Sequence, residues 1–171
     1  MTGMAETLQV RSLMASQFRQ AFPLIRLIIP YVTLESWVQY AHAFCRGDCG
    51  AAGMLSAQAE DGYIYGLACY RIVPDPQFSR TLVVEHFVAL DLFDGSATAR
   101  ALIDAIERMA HDQHCAQVHL TLPQARIEFG ETDGSLPGSI RGAGYDVNSV
   151  TLCKRLTSKW QIGEVLDEDK P

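Results

Sequence analysis

The sequence has no excess of positive charge, no long apolar run and no framework of paired cysteines. Its 171 residues include 14 Lys and Arg against 20 Asp and Glu, for a formal net charge of −6. This balance argues against nucleic-acid binding, which needs clustered basic side chains to displace counterions from phosphates. It leaves open a local basic pocket for a phosphorylated ligand.

Long apolar segments are also missing. The most apolar stretch, Ala21 to Val32, is interrupted by Pro23, Arg26 and Pro30 and is shorter than the ~20 residues that span a bilayer. The first residues, MTGMAETLQV, lack the basic start and the apolar middle of a signal peptide. We therefore predict a cytoplasmic protein with no membrane partner.

The five cysteines are odd in number and scattered, which is typical of reduced thiols rather than of a disulfide framework. Two short groups of metal-ligating residue types occur, His42, Cys45 and Cys49 in one and His111 and His114 in the other. Neither group has a full set of ligands at the spacing of zinc sites. We predict no metal site.

The hydrophobic pattern predicts one α/β domain over residues 1–157 and an acidic, flexible tail over residues 158–171. Alternating or continuous apolar runs predict strands at Thr7–Leu13, Ala51–Ala59, Tyr63–Val73, Arg80–Leu90, Ala116–Leu122 and Asn148–Leu156. Helical periodicity predicts helices at Ala15–Ile29, Leu34–Phe44 and Ala97–Gln113. We expect Pro23 to kink or break the first helix, and Thr33 to cap the second. Turn-forming residues predict a hairpin turn at Glu60–Gly62 and a loop at Val73–Ser79.

This order of elements predicts a mixed, mostly antiparallel sheet of six or seven strands with helices on both faces. The segment Arg80–Leu90 is almost wholly apolar, which is typical of a central strand covered on both sides. We expect it to part from Ala116–Leu122 and to leave a wedge between the two strands.

A turn of small residues, DGSATAR, lies between this apolar strand and the next helix. Such a turn at a helix N-terminus can bind an anion, because its backbone N–H groups and the helix dipole both favour negative charge. A P-loop would need a Lys after its glycines, and a dinucleotide fingerprint would need further glycines; the segment has neither. The alternative is a tight turn that only packs a helix onto a sheet.

Three passages resemble the GNAT (Gcn5-related) N-acetyltransferase superfamily. VVEHFVALDLF resembles the family's fourth strand, DGSATARAL resembles its pyrophosphate-binding turn and following helix, and GAGYDVNSVTLCKRL resembles its final strand. Two positions differ from the family pattern, with Asp94 in place of Arg or Gln and Ala97 in place of Gly.

The resemblance implies acetyl-CoA as co-substrate. Backbone groups of Phe87, Val88 and Ala89 would hold its pantetheine arm as an added strand. The pyrophosphate would lie on a turn made of Gly95, Ser96, Ala97, Thr98, Ala99 and Arg100.

Glu85 occupies the position of a Glu in the family's strand pattern, and we predict that it is the catalytic base. The alternative is a structural carboxylate bonded to a neighbouring strand or to an Arg. In a regular strand, His86 would point to the opposite face, and only a bulge would bring the two together. His119 is a second candidate base, or else a partly buried histidine.

The family's general acid, a Tyr, would align with Ile140, and Tyr145 matches a packing aromatic residue. Trp37, Tyr40 and Tyr31 are candidates for an aromatic lining of the acceptor pocket, or else for the core. The resemblance implies an acyl-CoA-dependent N-acetyltransferase that acts on a primary amine of a small molecule or peptide. The alternative is a non-catalytic binding or regulatory module with weak or no CoA binding, and a homodimer is left open.

Overall fold

The computed structural model describes residues 8–46, 51–77, 79–90, 97–122, 140 and 142–145. Its strands are β1 (Gln9–Ser12), β2 (Ala52–Gln58), β3 (Ile64–Asp75), β4 (Ser79–Ala89) and β5 (Gln117–Leu120). Its helices are α1 (Phe18–Ile28), which follows a short 3-10 turn at Ala15–Gln17, α2 (Leu34–Cys45) and α3 (Ala97–Asp112). The predicted last strand, Asn148–Leu156, and the tail lie outside the described residues.

The five strands form one sheet in the order β1-β2-β3-β4-β5. The pairs β1–β2, β2–β3 and β3–β4 are antiparallel, and β5 runs parallel to β4. A parallel pair needs a crossover connection, and α3 lies in the chain between β4 and β5. The predicted mixed, mostly antiparallel sheet is confirmed.

Both faces of the sheet are covered, and β4 contributes to both cores. Helix α3 packs on one face through Ala99, Leu102, Ile103, Ile106 and Ala110. Helices α1 and α2 pack on the other through Phe18, Ala21, Leu24, Ile25, Trp37 and Ala41. Burial on two sides explains why β4 needs an almost continuous apolar sequence.

Helix α1 runs through Pro23 without ending, so of the predicted kink or break, the break does not occur. The ring removes one backbone hydrogen bond, but the helix buries Phe18 and Ala21 before the proline and Leu24 and Ile25 after it. Burial on both sides holds the segment in helical form. The predicted cap of α2 is confirmed, because the Thr33 side chain accepts a hydrogen bond of 3.2 Å from the Ser36 backbone N–H.

The predicted loop Val73–Ser79 is largely strand, because β3 extends to Asp75 and β4 begins at Ser79. Pro74 pairs with Arg80 of β4, whereas the pairing of β2 with β3 reaches only Arg71. Proline has no backbone N–H to donate. At Pro74 that donor would point to the β2 side of β3, where no described strand would accept its hydrogen bond. The predicted hairpin turn before β3 is confirmed, with Gly62 at a φ of 85°.

Candidate active site

A β-bulge interrupts β4 at its middle. Cys69 of β3 pairs with His86, but the next residue, Tyr70, pairs with Val84, so Glu85 is an extra residue in β4. A bulge leaves one residue unpaired and changes which way the following side chains point. Before the bulge, Val84 packs on the α3 side of the sheet, and after it Phe87 does.

The bulge turns Glu85 and His86 toward the same face, the one covered by α1 and α2. The Tyr40 hydroxyl of α2 donates to Glu85 Oε2 at 3.5 Å, and the Tyr40 ring meets the His86 ring edge-on at 5.7 Å. The sequence predicts opposite faces only for a regular strand; β4 is not regular here, and the bulge brings the two side chains together.

Glu85 is held in an ion pair. Arg71 Nη2 of β3 lies 2.6 Å from Glu85 Oε1, with the two side chains 46% and 29% exposed. The Arg71 guanidinium also lies over the Phe44 ring, 5.5 Å from its centre, a cation–π geometry. Arg71 is therefore the kind of partner expected if Glu85 is only a structural carboxylate. Glu85 nevertheless keeps access to solvent, as a catalytic base would.

Burial changes the titration of the two rings beside Glu85. It lowers the pKa of His86 below its ordinary value of 6.5, although the neighbouring Glu85 charge acts in the opposite direction. It also raises the pKa of Tyr40, with the negative charge of Glu85 adding to the effect. At neutral pH the site thus presents a neutral imidazole, which can accept a proton, next to a protonated phenol, which can donate one.

Two adjoining cavities open onto this cluster. One, of about 250 Å³, lies between α1 and α2, and its lining residues are Ile25, Ile29, Val32, Ser36, Trp37, Tyr40 and His86. The other, of about 230 Å³, is lined by Ile28, Ile29, Glu85, His86, Thr121 and Leu122. Ile29 and His86 belong to both linings, so the two cavities adjoin at these two side chains.

The bulge also coincides with the end of pairing between β4 and β5. Within the described residues, β5 pairs with β4 only from Thr81 to Val84, and a last backbone bond runs from Thr121 N–H to Val84 O at 3.0 Å. Beyond Val84, no described strand covers this side of β4. The predicted parting of the two strands therefore begins at Glu85.

The remaining part of β4 has backbone groups that point away from β3. Leu90 N–H donates to Tyr65 O at 2.8 Å, and antiparallel pairs alternate between bonded and non-bonded. By that alternation, Val88 is bonded to Leu67, while the backbone groups of Phe87 and Ala89 point to the side left open by β5. Two residues thus offer donors and acceptors to an extended ligand.

The first turn of α3 packs closely on β3 at Gly66, which pairs with Ala89 near the end of β4. A Cβ built on Gly66 would lie 2.7 Å from Thr98 Cγ2 and 2.8 Å from Leu102 Cδ1. Only a glycine lets the helix approach so near. In the first turn, Thr98 and Ala99 are buried, and Ala97 and Arg100 are exposed; Asp94, Gly95 and Ser96 lie outside the described residues.

The other candidate residues lie away from the cluster or outside the cavity linings. Ile140 is buried in the core on the α3 side, and Tyr145 packs against that core; burial and a hydrogen bond with Glu107 raise the pKa of Tyr145 to about 12. His119, the second candidate base, is exposed on β5, so its alternative assignment as a partly buried histidine is wrong. Tyr31 is 97% exposed and is not among the residues that line the cavities, unlike Trp37 and Tyr40.

Arg71 is the residue of this cluster that sequence reasoning missed. It stands opposite Val83 of β4, two residues from Glu85. The available signal was a single basic residue in one apolar strand and a single acidic residue in its hairpin partner. Diagonal neighbours on one face of a sheet are within reach of long side chains.

No protein-family model matches the sequence, and no curated protein matches it either. Solved structures do match. The aminoglycoside N-acetyltransferase AAC(6')-Iy in complex with CoA is 16% identical, with a TM-score of 0.71 over 91% of this chain and 99% of its own. Glucosamine-6-phosphate N-acetyltransferase from Arabidopsis thaliana is 17% identical, with a TM-score of 0.66 over 89% and 100%.

Ribosomal-protein-alanine N-acetyltransferase from Brucella melitensis is 19% identical, with a TM-score of 0.64 over 88% of this chain and 100% of its own. At such identities, structural likeness establishes the fold. The chain has the fold of the GNAT N-acetyltransferases, as the three sequence passages predicted. Within the described part of the chain, no helix has both the length and the apolarity to cross a membrane.

Proposed function

We propose that this protein is a cytoplasmic N-acetyltransferase that transfers the acetyl group of acetyl-CoA to a primary amine of a small molecule or peptide. The observation that carries the proposal is the bulge at Glu85. At this one point the β4 edge opens, two cavities meet, and a carboxylate and an imidazole share a face. An acyl transfer between two bound substrates needs such a junction, where a thioester and an amine are held together.

Acetyl-CoA fits the open edge of β4. Backbone groups of Phe87 and Ala89 would bond the amides of the pantetheine arm, in the manner of an added strand, while Val88 stays paired with β3. The pyrophosphate would lie at the N-terminus of α3, where the helix dipole favours negative charge. The residues proposed for this turn are Gly95, Ser96, Ala97, Thr98, Ala99 and Arg100.

For the chemical step, Glu85 is proposed to take the proton of the substrate ammonium, directly or through a water molecule, so that the free amine can attack the thioester carbonyl. The proton acceptor must be oriented before the amine arrives. Arg71 and the Tyr40 hydroxyl fix the two carboxylate oxygens of Glu85. The amine nitrogen then forms the new C–N bond while the C–S bond of the thioester breaks, CoA leaves as the thiolate, and the second proton of the nitrogen passes to that thiolate or to solvent.

One observation favours the alternative, a non-catalytic module with the same fold. Ile140 stands where the family's general acid would align, and it is buried in the core on the α3 side of the sheet. An isoleucine has no proton to donate from that position. A module of this kind would bind CoA weakly or not at all and would release no free thiol with any amine.

Thermal unfolding with and without acetyl-CoA tests the proposal, followed by detection of free thiol with a panel of amines. A ligand present at a hundred times its dissociation constant stabilises the native state by ~2.7 kcal/mol. Acetyl-pantetheine is the matched control ligand, since it contacts the β4 edge but lacks the pyrophosphate. We expect acetyl-CoA to stabilise the protein more than acetyl-pantetheine does. The absence of any shift at millimolar acetyl-CoA would contradict the proposal.

A further inference from the structure

We infer that the acceptor substrate is a monoamine whose amino group is carried on an apolar arm, and that the arm binds in the cavity between α1 and α2. The inference rests on the proposed function and adds the chemical class of its acceptor. The arm would extend toward Trp37, with the amino group near His86 and Glu85.

The lining of this cavity is mostly aliphatic and aromatic. Ile25, Ile29, Val32 and Trp37 form most of the wall. The indole N–H of Trp37 already donates to Phe18 O at 2.6 Å, so Trp37 offers the cavity only its apolar surface. A cavity of ~150 Å³ can hold benzene, and this one, of about 250 Å³, has room for a larger apolar group.

Two of the three polar side chains in the lining, Ser36 and Tyr40, already make hydrogen bonds, and the third, His86, also lines the second cavity. The Ser36 hydroxyl accepts a hydrogen bond of 2.9 Å from the Thr33 hydroxyl, as part of the cap of α2. The Tyr40 hydroxyl points to Glu85 in the second cavity. A sugar hydroxyl placed beside the isoleucines and Trp37 would therefore lose its hydrogen bonds to water without replacement, which is unfavourable.

The distribution of charged side chains around the two cavities favours a substrate with a single amino group. The described residues that line the first cavity include no carboxylate. Glu85, in the adjoining cavity, is already paired with Arg71 and can serve one ammonium group beside His86. A second ammonium group at the far end of the substrate would lie against Ile25 or Trp37, where the described lining supplies no counter-charge, and its desolvation would be unfavourable.

Hexylamine and hexamethylenediamine test this directly, because they have the same chain length and differ by one terminal amino group. Thiol release from acetyl-CoA gives kcat/KM for each, and calorimetry with CoA present gives binding without turnover. We expect hexylamine to be favoured by at least about tenfold, in line with what an apolar pocket can discriminate.

Substitutions at Ile29 and Leu27 supply the matched variants. Ile29 lines both cavities and is 38% exposed, whereas Leu27, two residues earlier, is 54% exposed and lines neither. Ile29→Asn should weaken hexylamine binding about tenfold and leave acetyl-CoA binding unchanged. Leu27→Asn should change neither.

Equal activity on the two amines, a preference for the diamine, or unchanged hexylamine binding in Ile29→Asn would overturn the inference. So would a preference for hexanoyl-CoA with methylamine as acceptor, because the cavity would then hold the acyl chain. If hexylamine binds and Ile29→Asn weakens it but no thiol is ever released, the proposed function fails and the assignment of the cavity stands. If hexylamine does not bind, the inference fails even where other amines are acetylated.

Discussion

Glu85 and His86 are neighbours along β4, yet both side chains contact Tyr40 on the same face of the sheet. The extra residue of the bulge makes this arrangement, because a regular strand sends adjacent side chains to opposite faces. The bulge also stands where β5 stops pairing with β4. A single local irregularity therefore brings two proton-accepting groups to the start of the open edge.

Replacing Glu85 and Arg71 separately distinguishes a base from a structural carboxylate. If Glu85 is the base, Glu85→Gln should lower kcat by about 10²- to 10⁴-fold, the usual contribution of a general base. Arg71→Met removes the ion pair but keeps the carboxylate, so it should cost far less. Initial rates at saturating acetyl-CoA measure both effects.

If instead the pair only holds β3 and β4 together, the two substitutions should have similar effects, and Glu85 would lose its catalytic assignment. Unfolding curves of both variants supply the control. Each should lose at most a few kcal/mol, because removing one member of a partly exposed pair costs less than the 3–5 kcal/mol seen for buried pairs.

The lowered pKa of His86 predicts a specific loss of stability in acid. Its pKa in the folded protein lies below 6.5, so the unfolded chain binds a proton first as the pH falls. The unfolding free energy should therefore decrease below about pH 6.5 until the folded form is also protonated. In His86→Gln this part of the decrease should disappear.

Unfolding in urea at pH 7 and pH 5 measures the difference. His119→Gln is the matched control, since His119 is exposed on β5, and it should keep the acid sensitivity of the unaltered protein. Equal acid sensitivity in His86→Gln and His119→Gln would show that burial of His86 does not contribute.

Much of the fold could be predicted because its signals are local. The apolar run of β4 and the helical periodicity of α3 each lie within one segment, and so does the Thr33 cap of α2. The structure describes all of these elements within one or two residues of their predicted ends.

The candidate site could be predicted only in part because its geometry depends on pairing between segments. Nothing within the sequence of β4 marks Glu85 as an extra residue; the bulge exists only in the register with β3. The ion pair of Glu85 with Arg71 likewise joins two strands. The sequence also predicts a loop at Pro74, because it does not show that β2 stops pairing with β3 at Arg71 and leaves that side of Pro74 without a partner strand among the described residues.

Gly66 should matter for acetyl-CoA binding although it lies outside both cavity linings. Gly66→Ala would push a methyl group against Thr98 and Leu102 and so displace the first turn of α3. We expect a loss of about 1–3 kcal/mol in stability, as for other overpacked cores. We also expect weaker acetyl-CoA binding, because the helix N-terminus moves from the β4 edge.

Gly62→Ala provides the comparison, since Gly62 has a φ of +85° but open space around it. It should cost about 1–2 kcal/mol through backbone strain without changing acetyl-CoA affinity. Calorimetric titration of both variants below their unfolding temperatures separates the two effects. Equal affinity in Gly66→Ala and the unaltered protein would mean that the position of α3 does not determine CoA binding.

A substitution at Asp94 tests whether the turn before α3 binds the pyrophosphate of acetyl-CoA. A carboxylate close to a bound pyrophosphate would repel it by ~1 kcal/mol at an effective dielectric constant near 20. Asp94→Arg should then tighten acetyl-CoA binding about fivefold or more, and more at low salt than at high salt, where ions screen the interaction. Asp104→Arg makes the same change of charge on the exposed side of α3, farther from the helix N-terminus, and should have a smaller effect. Titration of both variants at two salt concentrations measures this, and an affinity that falls in Asp94→Arg would show that Asp94 assists binding instead of opposing it.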